Sequence, residues 1–123
     1  MSRPFPVQEP YVTKDGSRIR ELVNPLLAPG LGMSLAEAEV TAGSRTEAHF
    51  HTDFDEIYYC LQGAGLLYVN NISFPFSPGT YHLISKGSIH FLAATMTIRL
   101  LCICCPGYTH EETVLVENHL PVR

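Results

Sequence analysis

A chain of 123 residues is one domain by size and can bury on the order of two thirds of its unfolded surface, so it needs no disulfide or structural metal to fold. Net charge is -4, and the two lysines and six arginines are scattered, so no basic stripe is available to follow a nucleic-acid backbone. The longest apolar run, LLCICC, is far too short to span a bilayer, and MSRPFPVQEP at the N-terminus lacks the apolar core of a signal peptide. A cytoplasmic location is therefore expected, with the four cysteines as free thiols.

In chain order, the first predicted element is a hairpin, because Asp15-Gly16 sits between YVTK and SRIREL and suits a tight turn. NPLLAPGLG follows, rich in Pro and Gly with apolar tips; it covers one mouth of the core, belongs to a dimer interface, or simply connects. SLAEAEVT carries two signals. Its helix formers and the Ser34-x-x-Glu37 capping box favour a helix, whereas Ala36, Ala38 and Val40 alternate with Glu37, Glu39 and Thr41 at strand period.

From Glu56 onward EIYYCL, GLLYVN, TYHLIS and MTIRLLCIC read as short strands rich in Tyr, Ile, Val and Leu. Gly, Pro, Asn or Ser punctuates them about every ten residues, which favours a barrel or sandwich. Asn70-Asn71 is expected to turn GLLYV back into ISFPF. Cys102, Cys104 and Cys105 do not have a zinc-ligand spacing and lie in an apolar run, so they are read as small hydrophobes of a buried strand. His110 and His119, near Glu111 and Glu112, are expected on a solvated surface.

The most informative pattern is Gly43, His49, His51, Glu56, Gly63, written G-x5-H-x-H-x4-E-x6-G. Two residues apart on a strand, His49 and His51 point to the same face. A turn through Thr52, Asp53, Phe54 and Asp55 then brings Glu56 to the start of the next strand, where its carboxylate can join the two imidazoles on one metal ion. Further on, Gly79, Gly87 and His90 follow G-x5-P-x-G-x2-H-x3-N except at Ser85 and Ala94.

Together the two segments resemble the cupin superfamily over about residues 40–105. The resemblance implies an all-β fold, a double-stranded β-barrel of jelly-roll type, formed by residues 1–123 as one domain. Residues 1–32 would supply an N-terminal arm, hairpin and loop, 33–105 the core barrel, and 106–123 a C-terminal segment. It also implies that SLAEAEVT is a strand. Carried over by position, the metal ligands are His49, His51, Glu56 and His90, with Asp55 a minor rival to Glu56. Ser85 and Ala94 are not ligand positions; they bear on local turn geometry.

Imidazole and carboxylate without thiolate suit one divalent transition-metal ion, Fe, Mn, Ni, Co or Zn, and affinity order does not choose among them. If Glu56 points inward, Tyr58 and Cys60 share its face while Ile57, Tyr59 and Leu61 face away. Tyr58, roughly 6 to 7 Å along the strand, is a candidate proton donor or substrate anchor, or else a buried tyrosine with a bonded hydroxyl. Cys60 is too far along to reach the same ion. His82, in the strand before the second motif, is a candidate general base.

Three functions are consistent with this set, all with a small-molecule partner and no nucleic acid or membrane. The first is a non-haem Fe(II) dioxygenase acting on a chelating substrate. The second is a non-oxidative isomerase, lyase or cyclase in which the metal is a Lewis acid. The third is a ligand-binding or sensing module without turnover. Leu67, Val69, Phe74, Phe76, Tyr81, Phe91 and Leu100 are the candidates to line the cavity. The resemblance implies a homodimer, as small cupins commonly dimerise, and an arm carrying Phe5, Val7 and Tyr11 with an otherwise unpaired edge strand gives the chain the means.

Overall fold

The computed structural model describes residues 4–109 and 111–116, so His110 and His119 lie outside the described residues. These form β1 (Tyr11–Val12), β2 (Arg18–Val23), β3 (Ser34–Val40), β4 (His49–His51), β5 (Asp55–Val69), β6 (Ile72–Phe76), β7 (Tyr81–Ile84), β8 (His90–Cys105) and β9 (Thr113–Leu115). All pairings are antiparallel and belong to one curled sheet, the jelly-roll barrel of the cupin type. No helix among the described residues is long and apolar enough to cross a membrane.

Strand parity decides what faces inward. Along the first half of β5, Glu56, Tyr58 and Cys60 are buried while Ile57, Tyr59 and Leu61 are exposed. The inward side chains build a core around Leu67, Phe76, Ile98 and Leu100, each about 1.5–3 kcal/mol better buried than exposed.

Two long strands give the barrel its shape. β5 and β8 pair from Asp55↔Cys105 to Val69↔His90, and their outer neighbours change along the way. β5 meets β7 first and β6 later, whereas β8 meets β4 at its start and β3 toward its end. The ladder shifts register between Cys60 and Gly65. Gly63 there has φ 95°, and an added Cβ would run into the Thr97 carbonyl; one at Gly65 would meet the Ala93 carbonyl. The glycines that punctuate EIYYCL and GLLYVN thus bend one 15-residue strand and do not end it.

The turns follow from residue type. Asn70 and Asn71 have φ 48° and 67°, the left-handed pair that a tight hairpin requires. Asp15-Gly16 turns β1 into β2, with Thr13 N–H donating to Ser17 O at 2.9 Å and Gly16 N–H to Thr13 O at 3.0 Å. SLAEAEV is a strand, because β2 pairs with one edge and β8 with the other, outweighing its helical signals. NPLLAPGLG turns on Asn24, whose Oδ1 accepts from Leu26 and Leu27 N–H at 3.0 Å, and Leu26 points to solvent.

Candidate metal centre

The three histidines come together through strand register. In β4, His49 and His51 are buried and Phe50 is half-buried, as their alternation requires. His49 lies opposite His90 of β8, and His51 lies opposite Thr113 of β9. Gly87 N–H donates to His51 O at 2.8 Å, which ties the second motif to the first. Phe54, fully buried in the turn after β4, stacks on the His51 ring with centroids 4.3 Å apart. Glu56 enters from the first half of β5, opposite Cys104 of β8.

His49, His51, Glu56 and His90 each offer one donor atom, and these atoms lie within 4.8 Å of one another. Donors on a single ion at about 2.1 Å stand at most about 4.2 Å apart, so the cluster needs only a small contraction to hold one. Oε1 of Glu56 is 3.1 Å from His51 Nε2 and 3.4 Å from His90 Nε2, and the second contact lacks hydrogen-bond geometry.

The remaining ring nitrogens fix the tautomers. His49 Nδ1–H donates to Glu47 O at 2.8 Å and His90 Nδ1–H to Ser88 O at 2.9 Å. His51 Nδ1 is 3.0 Å from Thr113 Oγ1, which donates its own proton to Thr109 O and so accepts from the ring. In the neutral rings each Nε2 therefore presents a lone pair, and two of them face the acceptor oxygen of Glu56. A cation between them satisfies this arrangement, so the donor set fits a divalent metal ion.

Electrostatics agree. Burial, reinforced by His90, lowers the His49 pKa to about 4, which keeps its imidazole neutral. Burial alone would raise the Glu56 carboxyl, but the adjacent His51 and His90 rings hold it well below the usual carboxylate range. Burial pushes the Tyr58 hydroxyl well up, with Glu56 adding to the shift, so that phenol keeps its proton.

Tyr58 lines a partly open cavity together with His49, His51 and Glu56. His82 does not line it. It pairs with Tyr58 in register, but its half-buried ring packs 5.0 Å from Phe74 and 6.3 Å from Phe76. Asp53 and Asp55 are exposed, and Asp55 Oδ1 accepts from Lys86 N–H at 2.9 Å, away from the cluster. Cys60 is buried in the core.

Of the seven candidates to line the cavity, Leu100 alone does so. The cavity lies toward the β2 and β3 side; Leu67, Phe76 and Phe91 are buried elsewhere and Tyr81 is exposed. Cys102 and Cys104 are more than core filler, since both line the cavity and Cys104 Sγ donates to Glu56 Oε2 at 3.4 Å. Asp15 also reaches the cavity, its Oδ2 3.6 Å from His49 Nε2. Only the Asp-Gly turn marked it in the sequence.

This barrel, with a buried three-histidine, one-glutamate cluster at its centre, is a small cupin with a candidate metal site. Residues 12–119 match the family model for ectoine synthase, and the chain belongs to that family. An uncharacterized protein of Methanocaldococcus jannaschii is 41% identical over 111 residues, covering 89% of each chain. L-ectoine synthase of Wolinella succinogenes is 29% identical over 89 residues, 71% of this chain and 67% of that one. The crystal structure of ectoine synthase from P. lautus matches with a TM-score of 0.70 at 22% identity, covering 91% of this chain and 83% of that chain.

Proposed function

We propose that this protein is a metal-dependent lyase of the dehydratase type acting on a small organic molecule, with His49, His51, Glu56 and His90 as ligands of one divalent transition-metal ion. The observation that carries the reading is the pair of Nε2 lone pairs turned on Glu56 Oε1 at 3.1 and 3.4 Å. Membership of the ectoine synthase family supports the lyase class. The dioxygenase expectation gains no support from that family, so the non-oxidative alternative is carried forward. Several metals accept this donor set, and none is assigned.

The ion, when bound, supplies Lewis acidity toward a substrate oxygen. The chain supplies the rest. Ile19, Ala38, Val40, Leu92 and Leu100 give the cavity apolar walls that exclude water. Tyr58, held protonated, gives its hydroxyl proton to the departing hydroxyl as the carbon–oxygen bond breaks; the electron pair of a neighbouring C–H or N–H bond forms the new double bond, its proton returns to the Tyr58 oxygen, and water leaves. His82, packed among phenyl rings outside the cavity, has no part in this step.

The test is turnover under argon by protein loaded with Zn(II) or Ni(II), using a panel of small hydroxylated compounds. Water elimination without oxygen is expected. Turnover that stops under argon and resumes with stoichiometric oxygen uptake contradicts the reading.

A further inference from the structure

The three imidazoles are not supported alike. His49 and His90 donate through Nδ1–H to Glu47 O and Ser88 O, carbonyls two residues back in their own stretch of chain. His51 instead meets a hydroxyl 62 residues further on, Thr113 Oγ1 of β9, at 3.0 Å. Both residues are buried, 4% and 5% exposed. A carbonyl can only accept, whereas a hydroxyl accepts or donates, so the surroundings of Thr113 decide where the His51 proton sits.

Those surroundings belong to one segment. Thr113 Oγ1–H donates to Thr109 O at 3.2 Å, and the Tyr108 hydroxyl also hydrogen-bonds to Thr113. Tyr108 sets its ring across those of His51 and Phe54, with centroids 5.9 and 5.6 Å away. Among the described strands β9 pairs with β4 alone, opposite His49, Phe50 and His51. Thr52 N–H donates to Glu112 O at 2.9 Å and Lys14 Nζ to Thr113 O at 3.2 Å. The segment carrying Tyr108, Thr109 and β9 thus rests on the strand that holds two of the metal ligands.

His51 has a second place for its proton, because Nε2 lies 3.1 Å from Glu56 Oε1, within hydrogen-bond reach. With the proton on Nδ1, Thr113 receives it and the Nε2 lone pair is left for an ion. With the proton on Nε2, Glu56 receives it and two metal donors occupy each other. The first arrangement needs the Thr113 hydroxyl; the second does not.

We infer that Thr113 is a positioning residue of the metal centre: its hydroxyl holds His51 in the form that takes the ion, and through it docking of the C-terminal segment and metal uptake are linked. This rests on reading the cluster as a metal centre. Linkage is reciprocal, so bound metal must also tighten the segment on β4.

The test compares full-length parent, Thr113→Val, Thr113→Ser and Thr52→Val. Zinc affinity is read by competition with a chromophoric chelator, stability by the urea midpoint of metal-free protein, and docking by amide exchange in β4 and β9 with and without zinc. Thr113→Val should lose about 10- to 100-fold in zinc affinity. Its metal-free midpoint should match the parent's, because His51 then turns its proton to Glu56. Thr113→Ser should restore most of the affinity. Thr52→Val, which loses only a 3.4 Å contact to Glu112 O on the same segment, should bind zinc as the parent does. Zinc should slow exchange in β9 of the parent and not of Thr113→Val.

Equal zinc affinity in Thr113→Val and the parent, or an equal loss in Thr113→Ser, overturns the role. So does a loss shared by Thr52→Val or matched by a lower metal-free midpoint, since Thr113 would then serve only to pack the segment. If Thr113→Val does not fold, Thr113→Ser and the parent's exchange decide: β9 amides indifferent to zinc overturn the linkage. A parent that takes up no zinc overturns the metal reading and this role with it, a result distinct from the others, in all of which the parent is loaded.

Discussion

At the residue scale, the centre depends on neutral imidazoles oriented by oxygen atoms on their far side. His49 shows what this costs. Its pKa falls from 6.5 in the unfolded chain to about 4 in the fold, chiefly through burial. Between those values the unfolded state binds a proton that the folded state does not, so this contribution is whole above pH 6.5 and is lost as pH falls toward 4. Its upper size is about 3 kcal/mol. Glu56, with a depressed pKa, acts in the same direction at lower pH.

The urea midpoint of metal-free protein should therefore drop as pH is lowered from 6.5 to 4; a flat profile contradicts the assignment. Tyr58→Phe should keep its metal and lower turnover by about 100-fold or more, since only the proton donor is removed. Unchanged turnover would take the role from Tyr58.

The grouping of His49, His51 and Glu56 was legible because strand parity and motif spacing fix which face they share, and the cupin resemblance added His90 to it. Asp15 and Phe54 were not. Their contacts arise from how a hairpin and a turn dock on distant strands, which no local spacing encodes. Nor does the cysteine pattern of β8 show that Cys104 will face Glu56, because the pairing of β5 with β8 sets that contact.

At the element scale, the barrel depends on the bend shared by β5 and β8. Gly63 combines a positive φ with a close approach to the Thr97 carbonyl, whereas Gly79, at φ 88°, has open space around its Cβ position. Gly63→Ala should cost about 2–3 kcal/mol, and Gly79→Ala only about 1 kcal/mol. Thermal or urea unfolding checks the order, and a larger loss at Gly79 contradicts the account. The runs of β residues and the Asn70-Asn71 turn were readable from composition and period. SLAEAEV was ambiguous by itself because its helix and strand signals are both local, and its partners, β2 and β8, lie far away in sequence. The continuity of β5 was hidden for a similar reason: glycine at a bend and glycine at a turn look alike until the neighbouring strand is known.

At the scale of the whole molecule, the two motifs identify the cupin barrel and the family match narrows it to ectoine synthase relatives. The position of the cavity depends on where the N-terminal hairpin joins the sheet through β2 and β3, which is why the four aromatic candidates to line it, Phe74, Phe76, Tyr81 and Phe91, lie elsewhere. The central claim is that the barrel folds four donors around one ion. Elemental analysis should compare the parent with His49→Ala/His51→Ala after reconstitution with Fe(II), Mn(II), Ni(II) and Zn(II) in turn. The account predicts about one metal ion per chain in the parent and almost none in the variant, since the free energy of binding depends on the assembled ligand set. No metal in the parent, or equal metal in both, would contradict it.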